Sequence, residues 1–518
     1  MLLRIAILGI SVLVVCASVA CRKPPEPPPP KPNVLLITIE TLRADHIGHH
    51  GYRRVTTPNL DRLAREGASF ENAVAQAPFT LPSIASILTG RTPPGHGVRN
   101  HPAVLSDAIE TLAERFQKAG YRTAAMTRHT WLRNKSGLDQ GFDEYHNNKF
   151  SAGLDARSLS LAASDWIAER DPARPFFLWL HFLDPHLPYT PSYPYSVLYH
   201  DEFREEQQPK HLRAMTEAAV DREDYVPTPY ADLAGGPYYD LVLRHYPKNR
   251  ILLDLAFWRR SRGSVFFNQD LYSRYEVSQI VDLYDGAILY TDDNLGRILG
   301  KLAELGLAGS TIVAVAGDHG EAFGEHGLSF THDFTLYDEV LRVPLVMRGP
   351  GVSAGISIGQ QVRLMDIAPT LLDLAGVESF PGGTEARNLG RLLRGGSLPY
   401  LEAFAESAPA RPQFPEQDKI SLPGIRGKWR MVRTDRWKLI QIPREDGDLY
   451  ELYDLVDDPR ETKNLFPALE GEAQKLVPLL KAWLATDPLR DSESSGEEGL
   501  EELDPSALEQ LKSLGYVQ

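Results

Sequence analysis

The chain alternates between short, almost wholly apolar runs and longer amphipathic stretches. Residues 33–39 read NVLLITI, 176–182 FFLWLHF, 311–316 TIVAVA and 344–347 PLVM. Runs of this length without polar alternation predict strands buried on both faces, as in a parallel sheet. A further strand is expected at 122–126. Between these runs the apolar residues recur at helical spacing. The pattern predicts a helix over 58–66, with Pro58 in its first turn and Gly67 as its stop. Another begins at Thr80, carries Pro82 in its first turn and ends at Gly90. Residues 109–118 are amphipathic, and 277–305 reads as one long helix stopped by Gly306. Strands alternating with helices predict a doubly wound α/β sheet, in which sites form at the carboxyl ends of the strands.

Two stretches depart from the alternation. Residues from about 190 to 275 are rich in Tyr, Pro and charge, and are too long for an ordinary connection, so a lid or specificity insertion is expected there. After about residue 400, stretches 430–443 and 449–455 predict strands of a small antiparallel unit. A helix over 471–485 and a short one at 505–514 follow. The expected organisation is a leader at 1–20, a Pro-rich tether at 21–32, a large domain at 33–400, a C-terminal subdomain at 401–486 and a tail at 487–518.

Composition narrows the function classes. The 518 residues are 42% hydrophobic and 24% charged, ordinary values for a folded protein. Lys and Arg number 55 against 69 Asp and Glu, a net charge of −14 that argues against nucleic acid as a partner. Half of that excess lies in 487–512, where nine acids face two bases, so it says little about any pocket. Cys16 and Cys21 are the only cysteines, which excludes a disulfide framework, a zinc finger or a cysteine nucleophile in the body. Arg4, the apolar run 5–15 and Ser18-Val19-Ala20 read as an export signal. Cys21 follows directly and resembles a bacterial lipobox cysteine, although Ser18 stands where leucine is usual. Seven prolines between 24 and 32 would make a stiff tether. The expectation is an exported protein, periplasmic or at the cell surface, held to a membrane by lipid on Cys21.

Three strand exits carry polar residues suited to one site. Glu40 follows the first strand, Asp318-His319 follows 311–316, and Thr80 opens its helix. Two carboxylates, an imidazole and a hydroxyl suit a divalent ion, which would lower the hydroxyl's pKa and activate it as a nucleophile. The helix N-terminus would favour a phosphate or sulfate anion. Taken singly, each residue has a plain structural explanation: a cap, a core histidine, a solvated loop.

A series of segments in order carries a family resemblance: NVLLITIETLRADHIG, TPNLDRLAREG, TLPSIASILTG, GLDQGFDEY, HFLDPHLPY, YDGAILYTDDNLGRIL, GDHGEAFGEHG and TLYDEVLRVPL. Together they resemble the sulfatase branch of the alkaline phosphatase superfamily. WKLIQIP and LYELYDLVDDPRETKNL resemble its C-terminal subdomain, and the terminal LKSLGYV is similar to its bacterial members. The resemblance spans nearly everything from Asn33 onward except the insertion. It implies an α/β sandwich with a large mixed central sheet, a small C-terminal α+β subdomain and a metal at the strand ends.

The departures from the family pattern sharpen the expectation. Sulfatases carry C-x-P-x-R or S-x-P-x-R, whose first residue is oxidised to formylglycine. This chain has Thr80-Leu81-Pro82-Ser83-Ile84, and threonine cannot yield that aldehyde by the same oxidation. Glu40 and Thr41 stand where the family has two aspartates. The Glu, Thr, Asp, His set resembles instead the lipoteichoic acid synthases and phosphoethanolamine transferases, in which a metal-bound threonine becomes phosphorylated. On that precedent Glu40, Asp318 and His319 bind the metal (zinc, manganese or calcium), with Thr80 as fourth ligand and nucleophile. His186 and His332 are candidates for binding the substrate anion, for protonating the leaving group or for a second metal. Arg43 and Asp45 are expected to brace the first loop, His326 to be structural, and His181 to be a core histidine. His129 carries little weight, and His46, His49 and His50 have two equal readings, a cluster able to attract metal in vitro and a loop surface. The leading expectation is a phosphoester hydrolase or phosphotransferase acting on an anionic ester. The alternatives are a sulfatase without formylglycine and a non-catalytic binding lipoprotein on the same fold.

Overall fold

The computed structural model describes residues 31–147, 155–187, 189, 191–192, 194–199, 274–327, 329–410 and 427–486. The leader with Cys21, most of the tether, nearly all of the insertion, the acidic tail and its helix at 505–514 lie outside the described residues.

Nine strands form the central sheet among the described residues. They are β1 (Asn33–Ile39), β2 (Ala68–Val74), β3 (Arg122–Met126), β4 (Glu144–His146), β5 (Phe176–Phe182) and β6 (Thr311–Gly317), with β9 (Arg342–Arg348), β10 (Ile356–Ile358) and β11 (Val362–Arg363) after a two-stranded hairpin of β7 (Ala322–Phe323) and β8 (Ser329–Thr331). The order is β10-β2-β9-β6-β1-β5-β3-β4, with β11 also on β2. The run β6-β1-β5-β3-β4 is parallel, and β9 lies antiparallel to both β6 and β2, so the sheet is mixed. Every residue of β1, β5 and β6 is buried, as their unbroken apolar runs require.

Helices cover both faces. On one side α1 (Pro58–Glu66), α4 (Ala156–Ala168) and the long α5 (Arg274–Glu304) pack on Leu35, Ile37, Leu178 and Val313. On the other, α2 (Thr80–Thr89), α3 (Leu112–Lys118) and α6 (Ile367–Leu374) cover Leu36, Phe177 and Ala314. The α3 helix starts three residues later than its amphipathic pattern, because Thr111 and Glu114 form a capping box that sets the first turn. A second sheet, order β12-β13-β14-β15, is antiparallel throughout: β12 (Ala403–Ala410), β13 (Gly427–Arg433), β14 (Trp437–Ile442) and β15 (Leu449–Asp454). The stretch 430–443, expected as one strand, is a hairpin, turned where Thr434 and Trp437 bond to each other. The α7 helix (Glu470–Ala485) packs its Leu476, Leu480 and Trp483 against Val432 and Leu439.

Charged pairs tie this small sheet to the loops and the short helix around it. Lys438, with no exposed surface, reaches Asp338 at 2.9 Å and Glu461 at 2.8 Å. Asp338 also takes Arg433, at 2.9 Å. Buried Glu406 on β12 holds Arg99 through two contacts of 2.6 Å.

Candidate active site

Four adjacent strands, β3-β5-β1-β6, deliver polar side chains at their carboxyl ends, where an α/β sheet leaves a crevice. Glu40 is the first residue beyond β1, and its amide donates to the Phe182 carbonyl at 2.9 Å. The next residue, Thr41, adopts φ +53, a left-handed conformation that costs a non-glycine residue about 1–3 kcal/mol. It is held there because its amide donates to Asp318 Oδ1 at 3.1 Å and its carbonyl accepts the Tyr284 hydroxyl at 2.6 Å. This turn brings the β1 and β6 exits together.

Thr80 is the first residue of α2, with Phe79 as the cap, and every residue of that helix is buried. Its hydroxyl donates to Glu40 Oε1 at 2.6 Å and lies 3.5 Å from His319 Nε2. Ser83, one turn on, ties the helix to the β6 exit by donating to the Asp318 carbonyl at 2.6 Å. His319 Nδ1 donates to the Gly320 carbonyl at 3.0 Å, and its Nε2 is 3.1 Å from Glu40 Oε1. Asp318 Oδ1 accepts both the Thr41 and His319 amides, whereas the buried Oδ2 has no hydrogen-bond partner. Glu40, Thr80, Asp318 and His319 thus converge as the sequence spacing suggested, and all four are fully buried.

The electrostatics of the cluster follow from burying two carboxylates together. Burial raises the Glu40 carboxyl, but His129, His181 and His319 outweigh it and hold it well below the usual range. Burial and the Glu40 charge push Asp318 up to about 6. Burial lowers His319, yet Asp318 and Glu40 prevail and carry it to about 10. The pair of carboxylates therefore draws positive charge into the space between them. An ionised Glu40, an Asp318 Oδ2 free of hydrogen bonds and a His319 Nε2 that gives up its proton to the ion make a donor set that fits a small divalent cation.

Histidines line the rest of the cluster. His332 lies 4.5 Å from His319 with the rings tilted by 35°, His186 lies 5.3 Å from His332, and His129 6.1 Å from His186, measured between ring centres. His186 Nδ1 donates to the Leu187 carbonyl at 2.6 Å. His332 Nδ1 contacts Glu321 Oε1 at 3.1 Å, and the other Glu321 oxygen accepts the Tyr189 hydroxyl at 2.9 Å. Burial lowers His332, but the Glu321 carboxylate more than offsets it and raises the ring. Burial lowers His186, and holds His129 at about 3. Both therefore remain neutral at pH 7. His186 and His332 are thus beside the four converging residues.

Three residues of the cluster carried little or no weight in the sequence. His181 is indeed a buried, hydrogen-bonded core histidine, but one of its partners is Glu40 Oε2, at 2.6 Å. His129 joins it: ligand atoms of Glu40, His129 and His186 lie within 4.8 Å of one another, as do those of Glu40, His181 and Asp318. Glu321 had a signal in GDHGEAF, a second acidic residue inside an otherwise buried loop. Arg43 braces the first loop, pairing with Asp45 at 2.8 Å and Glu325 at 2.9 Å. His326 ion-pairs with Glu339 and stacks on Tyr337. His46 turns inward to Asp285 at 2.7 Å, whereas His50 faces Ala44 and Ser69 with its ring 6.1 Å from that of His49. Ile84, standing where the family carries arginine, is wholly buried in the apolar core.

Comparison with known proteins gives the family and the fold. The chain is 25% identical to an N-acetylglucosamine-6-O-sulfatase of Bacteroides thetaiotaomicron, covering 89% of this chain and 88% of the relative. It is 26% identical to an arylsulfatase of Clostridium perfringens, over 85% and 91%. A solved structure in complex with its substrate, D-glucosamine-2-N,6-O-disulfate, superposes with a TM-score of 0.68 at 24% identity, covering 90% of this chain and all of that one. The phosphonate monoester hydrolase of Agrobacterium radiobacter shares the fold at a TM-score of 0.61 and 21% identity, over 88% and 95%. The profile of N-sulphoglucosamine sulphohydrolase C-terminal regions matches residues 324–486, and the sulfatase profile matches residues 32–377. With two thirds of its length inside that profile, the chain belongs to the sulfatase family of ester hydrolases.

Proposed function

We propose that this protein is a metal-dependent hydrolase of phosphoric or phosphonic esters that uses the Thr80 hydroxyl as its nucleophile. The observation that carries the reading is the hydroxyl itself, buried at a helix start and 2.6 Å from an ionised carboxylate. Glu40, Asp318 and His319 would hold the ion, with Thr80 beside them. A bound divalent ion supplies charge for the developing anion and lowers the hydroxyl's pKa. Zinc, manganese and calcium all suit this set of oxygen and nitrogen donors.

The chain's own residues do the rest. Glu40 accepts the Thr80 proton as the hydroxyl attacks phosphorus in line, and the leaving alcohol departs on the opposite side. His332, its ring raised by Glu321, donates a proton toward the leaving oxygen. His186, neutral and held through Nδ1, then draws the proton from the water that attacks phosphorus, and Glu40 returns its proton to Thr80 Oγ1 as the bond between that oxygen and phosphorus breaks. The Thr80 and Leu81 amides at the start of α2 would face the anion's oxygens, since Pro82 has no N–H and the Ser83 amide is spent on the Phe79 carbonyl.

A second reading, hydrolysis of sulfate esters, is favoured by the names of the relatives at 25% and 26% identity. The missing formylglycine precursor and the apolar Ile84 weigh against it. The lipid anchor on Cys21 and the exported location complete the proposal. A Cys21→Ala variant is expected to leave the membrane fraction.

The test is a substrate panel with the full chain in mild detergent, loaded with Mn²⁺ or Zn²⁺. Aryl phosphate monoesters, diesters and phosphonates should turn over faster than aryl sulfates, and mass spectrometry should find phosphate on Thr80 after rapid quenching. Sulfate hydrolysis as the fastest reaction would establish the second reading instead.

A further inference from the structure

A polar ladder runs from inside the sheet to the carboxylate at its edge. The parallel register pairs Thr38 on β1 with His181 on β5. The two-residue period of a strand places Glu40 on the Thr38 face and Trp179 on the His181 face. Trp179, Thr38, His181 and Glu40 are all fully buried. Trp179 Nε1 donates to Thr38 Oγ1 at 3.0 Å, Thr38 Oγ1 lies 2.8 Å from His181 Nδ1, and His181 Nε2 lies 2.6 Å from Glu40 Oε2.

Proton counting gives this chain a direction. The indole N–H only donates, so Thr38 Oγ1 accepts it. The single Thr38 proton has two acceptors in reach, His181 Nδ1 at 2.8 Å and the Leu180 carbonyl at 3.4 Å, and the shorter contact takes it. His181 Nδ1 is then bare and Nε2 carries the hydrogen. The opposite tautomer would set an Nε2 lone pair against a carboxylate oxygen at 2.6 Å.

We infer that His181 is a positioning residue: locked by Trp179 and Thr38 as an Nε2–H donor, it orients the Glu40 carboxylate and does not itself ligate metal. This rests on the reading of Glu40 as a metal ligand. It separates His181 from His319, whose Nδ1–H is spent on a backbone carbonyl and whose Nε2 faces the cluster. Although Glu40, His181 and Asp318 are close enough to share an ion, the tautomer denies His181 that part. Outer partners of this type commonly change metal affinity by about 10–100-fold.

The test combines a measurement on the metal-free chain with one on metal binding. In ¹⁵N-histidine-labelled protein, the signals lost in His181→Gln identify His181. They should report a bare Nδ1 and a protonated Nε2, and a protonated Nδ1 overturns the proposal. Mn²⁺ affinity is then titrated for the full chain. His181→Phe should bind about 10–100-fold more weakly, and His181→Gln, whose amide can still donate to Glu40, should recover most of that loss. Thr38→Val should weaken binding several-fold while Thr38→Ser stays close to wild type, which keeps the test open if His181→Phe folds poorly. Equal Mn²⁺ affinity across all four variants refutes positioning alone. Complete loss of binding in His181→Gln, with wild-type folding, makes His181 a ligand. A wild type that takes up no Mn²⁺ or Zn²⁺ removes the metal reading, and the proposal with it, whatever the tautomer.

Discussion

Replacing Thr80 separates chemistry from architecture in this site. Valine has threonine's shape, so Thr80→Val removes one hydroxyl and leaves the packing of α2 in place. Glu40 Oε1 then keeps only His319 at 3.1 Å, while Oε2 retains His181 at 2.6 Å. Losing one hydrogen bond to an ionised carboxylate costs about 1.5–3 kcal/mol of stability. If Thr80 is the nucleophile, the loss in rate is far larger, about 10³-fold or more, or roughly 4 kcal/mol of barrier. Thr80→Ser keeps the oxygen but drops a buried methyl, worth about 1 kcal/mol, and loosens the side-chain rotamer. It should retain activity within about tenfold of wild type. The assay is steady-state turnover of an activated aryl phosphate by the Mn²⁺-loaded chain, with a thermal melt on the same samples. Val should lose the activity while melting only a few degrees lower, and Ser should keep both. Thr80→Val turning over within tenfold of wild type would falsify the nucleophile assignment, because among the described residues no other hydroxyl hydrogen-bonds to Glu40.

Three further outcomes are expected. Lys438→Met leaves buried Glu461 without its cation and Asp338 with Arg433 alone, and a broken buried pair costs about 3–5 kcal/mol, so chemical denaturation should shift to markedly lower urea. Glu406 is raised by burial but held below its ordinary range by Lys428 and Arg99. Its stabilising contribution is therefore complete above the unfolded carboxyl pKa near ~4.3 and is lost as pH falls through the lower folded value. The melting temperature should drop below about pH 4, and Glu406→Gln should flatten that drop. At Gly320 a Cβ would stand 2.0 Å from the Glu339 carbonyl oxygen, so Gly320→Ala must displace the loop that holds His319. It should cost about 1–3 kcal/mol and lower turnover as well. Gly300→Ala, on an open face of α5, is the control that should change neither.

The strands were legible because a doubly covered sheet demands uninterrupted apolar runs, and β1, β5 and β6 have them. The strand β2, ASFENAV, was not, because Glu71 and Asn72 break its pattern beside an irregularity in the pairing with β9. Glu40, Thr80, Asp318 and His319 could be named from one chain because each marks a strand exit or a helix start. Which other groups reach them depends on neighbours far along the chain. His181 looks like any core histidine until the β1–β5 register sets it against Thr38, 143 residues earlier, and Glu40. His129 and Glu321 likewise gain meaning only from distance in space. The amino-acid order determined the layers, the family and the replacement of a formylglycine precursor by threonine, since those follow from local pattern and residue identity. Tertiary structure alone decided the protonation and orientation of the cluster. A buried carboxylate's charge, and a histidine's tautomer, are set by whichever donors the folded sheet places within 3 Å of them.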